Sequence, residues 1–215
     1  DYNNTLIQNT IEVNFYYQNS FIAGTDNLIT TANVCLGECS GETGCWPMSA
    51  TITTLPFQPN SSHNYIDDHG NQVWLDSYDL ANGSKQDAYG EPVYAPFDGK
   101  FCHVGCSNVG YGCYNTLSFE ADGDSYVMLF AHFQDPPEGM SAQNCKTVEA
   151  GFRMGLSGNR GQSTANHLHF SVARTEKQGY YSNPGPSILE RLMPPNDRGE
   201  QPATRLSHVT SCYDL

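Results

Sequence analysis

The chain has 215 residues and a formal net charge of −13, from 23 acidic and 10 basic side chains. An acidic surface of this kind repels the phosphates of nucleic acids and anionic lipid headgroups, which disfavours both as partners. No apolar run approaches the roughly 20 residues that span a bilayer, so we expect no membrane insertion.

The composition favours a β-rich domain. Charged residues make up only 15% of the chain, whereas glycine, proline and tyrosine contribute 20, 12 and 13 residues. This combination is typical of short strands joined by many turns, with little long helix. The length suffices for one domain with appendages. We therefore predict a mainly β fold built on an antiparallel sheet.

The cysteines indicate an oxidising compartment. The chain contains eight of them, an even number, and it begins with Asp1 instead of methionine. Both features are typical of a secreted protein whose signal peptide has been removed and whose thiols are paired. The Cys-x3-Cys spacings at 35–39 and 102–106 also occur in zinc ribbons, but the spacings are irregular and lie among glycine-rich turns. We expect disulfides and an extracellular or periplasmic location.

Residues 1–54 form the predicted N-terminal extension. It is rich in Asn and Thr, has strand-like segments at 10–16 and 27–30, and ends in a Gly and Cys cluster. Such strands would pair with the main sheet, tied down by disulfides. They could instead pair between subunits, which makes an oligomer through the N-terminal strands an alternative.

Residues 55–175 form the predicted core. Short segments of strand-like composition alternate with turns along this part of the chain, which is typical of an antiparallel sheet. The predicted strands are Gln72–Leu75, Pro92–Ala95, Gly99–Cys102, Thr116–Phe119 and Tyr126–Phe130.

Residues 176–215 form the predicted C-terminal tail. One helix is predicted from Ser187 to Leu192, because a Pro-Gly-Pro turn precedes it and Ser187 with Glu190 reads as a capping box. Cys212 would anchor the end of the tail.

Two imidazoles stand two residues apart in the apolar, β-prone run 165–172. On a strand, residues i and i+2 project from the same face, so His167 and His169 would lie side by side. Two neighbouring nitrogen donors on a rigid element suit a zinc site. Taken alone, a His-x-His pair is more often two surface histidines than a metal site.

Four further motifs accompany the histidine pair and lead to a family resemblance. They are Tyr78-Asp79-Leu80-Ala81, the Pro-Val-Tyr-Ala-Pro-Phe-Asp-Gly segment at 92–99, Leu129-Phe130-Ala131-His132, and the Gly-Leu-Ser-Gly-Asn-Arg-Gly-Gln-Ser-Thr loop at 155–164. In this order and spacing, the set resembles the lysostaphin-type zinc endopeptidases, which include the β-lytic and staphylolytic enzymes. The resemblance extends over roughly residues 55 to 173.

The resemblance implies an antiparallel β-sheet groove with a zinc ion at its floor. By their positions in the motifs, Asp79 and His169 would bind the zinc, and His132 and His167 would be the two catalytic imidazoles. Three protein ligands leave an open coordination position where water is activated, and imidazoles can shuttle protons and stabilise an oxyanion.

The third zinc ligand departs from the short form of the family, in which a histidine stands four residues before the aspartate. That position is Leu75 in this chain, and leucine cannot bind zinc. Longer members supply the histidine from further upstream, and the candidates here are His69 and His63, ten and sixteen residues before Asp79. We expect His69, because its His-Gly pair followed by a loop and a strand resembles the longer forms.

The remaining polar candidates are interpreted as structural or exposed. We expect Asp67, Asp68 and Asp76 to be solvated loop carboxylates. His103 and His208 lie among cysteines and are expected to be structural or exposed.

Together these features predict a secreted zinc metalloendopeptidase that hydrolyses peptide bonds of peptidoglycan cross-bridges or stem peptides, or of Gly-rich proteins. If neither His69 nor His63 reaches the metal, the alternative is a catalytically inactive extracellular relative that binds a peptide, glycan or receptor. A third alternative is an assembly protein whose N-terminal strands pair between subunits.

Overall fold

The structure is a computed structural model that describes residues 44–67, 69–82, 88–175 and 185–213. The strand-like segments predicted at 10–16 and 27–30 lie outside these ranges. The division of the chain at residues 54 and 175 therefore stays a prediction.

Within the described ranges the chain consists of short strands and one short helix. The strands are β1 (Ala50–Thr54), β2 (Asn64–Ile66), β3 (Gln72–Trp74), β4 (Ser77–Ala81), β5 (Pro92–Tyr94), β6 (Gly99–Gly105), β7 (Cys113–Ala121), β8 (Asp124–Phe133), β9 (Asn144–Val148), β10 (Arg153–Leu156), β11 (Leu168–Arg174) and β12 (His208–Val209), and helix α1 (Ile188–Leu192) lies between β11 and β12. No described helix has the length and apolar character that a membrane span requires.

Eight strands form one sheet in the order β12-β1-β4-β11-β8-β7-β6-β9. Every pair of neighbours in it is antiparallel. β5 pairs with β10, and β2 with β3, in two separate two-stranded sheets. The predicted mainly β, antiparallel fold is confirmed. Because β4, β11 and β8 lie side by side in the middle, side chains on these three strands become neighbours.

The five segments predicted as strands coincide with β3, β5, β6, β7 and β8. β7 and β8 are longer than predicted, with 9 and 10 residues. They form a hairpin whose two loop residues, Asp122 and Gly123, both have positive φ. This is the geometry of a tight turn whose twist matches the flanking strands, so the pairing continues to the turn.

Aromatic side chains dominate the core beneath the main sheet. Trp46 packs edge-on against Tyr78 with ring centroids 5.3 Å apart. Phe170 of β11 stacks on Phe130 of β8 at 6.0 Å. All four side chains are fully buried, and β4 is buried along its whole length. The polar residue in the middle of β4, Asp79, is therefore held on a rigid element.

Asp76 ties helix α1 to the sheet and is not the solvated carboxylate that the sequence predicted. Ser187 is the helix N-cap, and its Oγ accepts from the Glu190 N–H at 3.0 Å. The same hydroxyl donates to Asp76 Oδ1 at 2.6 Å, and the Ile188 N–H donates to Oδ2 at 2.5 Å. The helix end takes the place of water around Asp76, and this burial raises the pKa of the carboxyl to about 6 even though the hydrogen bonds oppose the shift.

Two disulfides lie entirely within the described residues. Cys102–Cys145 joins directly paired residues of β6 and β9. Cys106–Cys113 closes the connection between β6 and β7. The disulfide prediction is confirmed for these four cysteines, and the zinc-ribbon alternative is wrong for Cys102 and Cys106.

The C-terminal tail is fixed to the edge of the main sheet. Val209 of β12 lies opposite Ala50 of β1. Cys212 is disulfide-bonded, as is Cys45. His103, expected to be structural or exposed, is buried, and its Nδ1 lies 2.9 Å from Asn115 Oδ1.

Candidate active site

Asp79 and His169 face each other across two central strands. β4 and β11 are antiparallel, and their register sets Asp79 directly opposite His169. Such a pair shares one face of the sheet, with Cβ atoms about 5 Å apart. His169 Nδ1 lies 2.9 Å from Asp79 Oδ1, and both side chains are buried. The sheet register alone therefore builds half of the site.

His63 completes the cluster from outside the main sheet. It lies just before β2, and its Nε2 is 3.1 Å from Asp79 Oδ1. Its Nδ1–H donates to the Leu55 carbonyl at 2.8 Å. Its own backbone carbonyl accepts from the Leu75 N–H at 2.9 Å. His63 therefore stands beside Leu75, the position that holds the histidine in the short form of the family.

His69 lies elsewhere. It is exposed in the turn between β2 and β3, where its backbone N–H donates to the Asp67 carboxylate at 2.9 Å. In the described part of the chain, the residues grouped closely enough to hold a metal are His63, Asp79 and His169. The hairpin carries His69 toward its solvent-facing tip, while the residue at its base stays against β4. We therefore take His63 as the candidate ligand in place of His69.

The geometry of this cluster fits a zinc ion. Zinc binds imidazole and carboxylate atoms at about 2.0–2.2 Å in tetrahedral geometry, so its ligand atoms lie roughly 3.3 Å apart. The distances from Asp79 Oδ1 to His169 Nδ1 and His63 Nε2 are 2.9 and 3.1 Å. Because the Nδ1–H of His63 is bound to a carbonyl, its neutral ring turns the Nε2 lone pair toward the carboxylate oxygen. Two lone pairs in this arrangement are stabilised by a cation between them.

The electrostatics favour the metal-binding forms of these side chains. Burial alone would raise the pKa of Asp79, but the charge that His63 carries in its protonated form, together with the contacts to His169 and His63, holds that pKa well below its usual range. Burial lowers the pKa of His169. An ionised Asp79 carboxylate and a neutral His169 imidazole are the forms in which these two groups bind a metal.

His132 and His167 stand beside the cluster. His132 follows Ala131, which pairs directly with His169. Its ring centroid lies 4.7 Å from that of His167 and 6.1 Å from that of His169. His167 Nε2 lies 3.6 Å from Asp79 Oδ1. The two imidazoles for which the sequence predicts a catalytic role are therefore within reach of a group held by the three candidate ligands.

A backbone carbonyl fixes the proton on each of these two rings. The Nδ1–H of His132 donates to the Arg160 carbonyl at 2.7 Å, and that of His167 donates to the Ala165 carbonyl at 2.9 Å. In the neutral ring, Nε2 then carries the lone pair and can accept a proton. Burial is the main cause that lowers the pKa of His132 to about 4, so this ring is neutral near pH 7.

Three contacts of the site were not predicted from the sequence. They are the Leu55 carbonyl on His63, the Ser62 hydroxyl 3.4 Å from Asp79 Oδ2, and the Tyr111 ring stacked on His169 with centroids 5.7 Å apart. A backbone carbonyl leaves no sequence signal, and one tyrosine among 13 does not stand out. Ser62 becomes a candidate only once its neighbour His63 is chosen.

Comparison with known families identifies the class. The model of Peptidase family M23 matches residues 82–184, a segment that holds three of the four site histidines and covers just under half of the chain. This segment is similar to the peptidases of family M23. The resemblance to the lysostaphin-type endopeptidases is thereby confirmed, and the M23 match indicates a metallopeptidase. The matched segment begins after Asp79, so the match does not include Asp79 or His63. These two residues are assigned to the site by their distances to each other and to His169.

Several solved structures are similar to this chain. The catalytic domain of the antimicrobial peptidase lysostaphin from Staphylococcus simulans is 25% identical, with 60% of this chain and 84% of that domain covered and a TM-score of 0.42. A mutant catalytic domain of the prophage-encoded M23 protein EnpA from Enterococcus faecalis is 16% identical, with 66% of this chain and 95% of that domain covered and a TM-score of 0.46. A zinc-containing peptidase from Vibrio cholerae is 21% identical over 67% of this chain but only 41% of its own length, with a TM-score of 0.44. Among curated proteins, none matches the chain significantly.

Proposed function

We propose that this chain is a secreted zinc metalloendopeptidase. The observation that carries the proposal is the convergence of ligand atoms from His63, Asp79 and His169 within 4.8 Å of one another. The M23 match over the adjoining segment supports it. These three side chains would hold the zinc, which when bound supplies a Lewis acid that lowers the pKa of a bound water to near 7.

His132 and His167 would handle the protons of hydrolysis. The ring of His132 is neutral, because burial lowers its pKa to about 4, and its Nε2 is free to accept a proton from the attacking water. His167 is less buried, and in its doubly protonated form its Nε2–H would donate a hydrogen bond to the developing oxyanion or a proton to the leaving amine. The carbonyls on the two Nδ1 atoms keep each ring in one orientation during these transfers.

We propose that the site accepts an extended peptide with small side chains. The Tyr111 ring lies over His169, and the glycine-rich loop 155–164 contacts His132 through the Arg160 carbonyl. A cleft of about 470 Å³ includes Gln134, two residues beyond His132, and continues along β10. Peptidoglycan cross-bridges, stem peptides and Gly-rich proteins are substrates of this shape.

Secretion is part of the proposal. The disulfides Cys102–Cys145 and Cys106–Cys113 form and persist in oxidising compartments. The net charge of −13 would not draw the protein to anionic wall polymers, so we propose that substrate is recognised in the groove and not by surface charge.

The first test is the zinc content of the purified, chelator-free protein, followed by hydrolysis of an oligoglycine peptide and of peptidoglycan. His69→Ala is the matched control for His63→Ala, because His69 is exposed and outside the cluster. We expect near-stoichiometric zinc in the wild type and in His69→Ala, and loss of zinc and hydrolysis in His63→Ala. A wild type that binds no zinc would overturn the proposal and favour the catalytically inactive binding protein.

A further inference from the structure

We infer that the connection closed by the Cys106–Cys113 disulfide, here called the Cys106–Cys113 loop, is a positioning element for His132. The effect of this loop on catalysis rests on the proposed function. The effect of the loop on the backbone of His132 does not depend on it.

His132 has a backbone conformation that depends on outside support. Its φ is +67°, in the left-handed region that residues with a Cβ rarely adopt. Its backbone N–H donates to the Tyr111 carbonyl at 3.0 Å, and its ring Nδ1–H donates to the Arg160 carbonyl at 2.7 Å. Tyr111 belongs to the Cys106–Cys113 loop and Arg160 to the loop 155–164. Both loops must therefore be in place for His132 to keep this geometry.

The two loops touch each other through glycines. The Gln162 N–H donates to the Gly110 carbonyl at 2.8 Å. A Cβ added to Gly112 would collide with the Arg160 carbonyl oxygen, and one added to Gly161 would collide with the Gly112 backbone nitrogen. Because the Arg160 carbonyl also binds the His132 ring, the loop contact and the ring contact share one atom. A shift of the contact between the two loops therefore also moves the contact with the His132 ring.

The Cys106–Cys113 loop is held at both ends. Cys113 pairs across the β7–β8 hairpin with Phe133, the residue after His132. The Ser107 N–H donates to the Gly112 carbonyl at 3.1 Å, and the disulfide joins the two ends. The backbones of the three proposed zinc ligands are placed by other elements, namely β4, β11 and the segment before β2. The loop contacts one of these ligands, His169, through the stacked ring of Tyr111, a contact that coordinates no metal. Disturbing the glycine contact should therefore alter His132 more than it alters zinc binding.

Gly112→Ala tests the inference, with Gly123→Ala as its matched control. Both glycines have positive φ, +67° and +78°, so alanine strains the backbone similarly at each. Only at Gly112 does the added Cβ also meet Arg160, since one on Gly123 meets nothing within 4 Å. We expect kcat of Gly112→Ala to fall about a hundredfold while KM and zinc content stay within about twofold of wild type. Gly123→Ala should keep the wild-type kcat.

A second measurement does not depend on activity. The His132 amide, bound to the Tyr111 carbonyl, should exchange its hydrogen at least about tenfold faster in Gly112→Ala than in wild type or Gly123→Ala, as followed by NMR. Wild-type kcat together with wild-type exchange in Gly112→Ala would overturn the inference. Should the wild type hydrolyse no peptide, the proposed function fails, and the exchange rate alone decides the inference.

If Gly112→Ala does not fold, the paired substitution Cys106→Ser with Cys113→Ser frees the loop without adding a collision. The same two readouts then apply. Faster exchange at His132 supports the inference, and unchanged exchange overturns it.

Discussion

Four histidines share the site, and backbone carbonyls orient three of them. His63, His132 and His167 each donate Nδ1–H to a carbonyl, which leaves Nε2 as the atom available for chemistry. His169 is reversed, because its Nδ1 is the atom that faces Asp79. The orientation of each ring is therefore set before any substrate arrives, which is the preorganisation that proton transfer and metal binding both need.

His132→Gln should separate catalysis from metal binding. The substitution removes the proton acceptor at Nε2 but none of the three proposed ligands, so we expect kcat to fall about 10²- to 10⁴-fold with zinc content unchanged. Atomic absorption for zinc and steady-state kinetics would measure both. His208→Gln is the control, because His208 is exposed and pairs with Asp197 on the tail. Loss of zinc in His132→Gln would instead make His132 a ligand.

Asp76 predicts a pH-dependent stability that is independent of the active site. Its pKa is 3.8 in the unfolded chain and about 6 in the folded protein, chiefly because of burial. The folded state therefore binds the extra proton, and the stability that Asp76 contributes is fully present below pH 3.8 and lost as pH rises through about 6. Relative to Asp76→Asn, the wild type should lose about 2 kcal/mol of unfolding free energy between about pH 4 and pH 7. Urea unfolding of both proteins at the two pH values checks this, and a difference that does not change with pH would contradict it.

At the scale of elements, the two disulfides should differ in what they stabilise. Cys102–Cys145 spans a sequence separation of 43 and Cys106–Cys113 one of 7. Loop-closure entropy then predicts a loss of about 4 kcal/mol when the first is replaced by two serines and about 2 kcal/mol for the second. The loss of kcat should be larger for the Cys106–Cys113 pair, because this is the pair that borders His132. Urea unfolding of both double variants ranks their stability, and steady-state kinetics ranks their kcat. If the variant that loses more stability also loses more kcat, the prediction is contradicted.

Elements were predictable from the sequence where one face is buried and the other is not. β7 alternates almost perfectly between buried and more exposed residues, and it was predicted. β9 is exposed over its first four residues, so it carries no alternation and was missed. Its place at the edge of the sheet comes from pairing with β6, which includes the directly opposed Cys102 and Cys145. Periodicity reports burial on one face, and an edge strand with little burial does not display it.

The candidate site was likewise predictable from the sequence only in part. Asp79 and His169 lie on regular strands next to motifs, and the register of β4 and β11 sets them opposite each other. His132 follows Ala131, the residue of β8 that pairs with His169. The choice between His69 and His63 depends on how the chain folds back between them. That depends on a three-residue pairing of β2 with β3, which is too short to show a period in the sequence.

For the whole molecule, zinc would join three separate parts of the chain: β4, β11 and the segment before β2. A ligand that binds only the folded state at a thousandfold excess over Kd stabilises it by about 4 kcal/mol. Chelation should therefore lower the Tm of the wild type by something of the order of 10 °C. Differential scanning calorimetry with and without EDTA measures the shift. His63→Ala should show little or no shift, and an equal shift in that variant would mean that the metal binds elsewhere.

Because the β2–β3 hairpin closes at its base, the number of residues between the proposed ligands His63 and Asp79 does not set the distance between them in space. From His63 the chain leaves the site, turns in solvent and returns to Leu75, whose N–H closes on the His63 carbonyl. Nothing lies within 4 Å of a Cβ built on Gly70 at the tip, so extra residues there would extend outward and leave the base of the hairpin unchanged. A tag or fluorophore-bearing peptide could therefore be inserted between His69 and Gly70, close to the proposed metal site. A sequence search that requires a fixed number of residues between the histidine and the aspartate would miss chains of this kind.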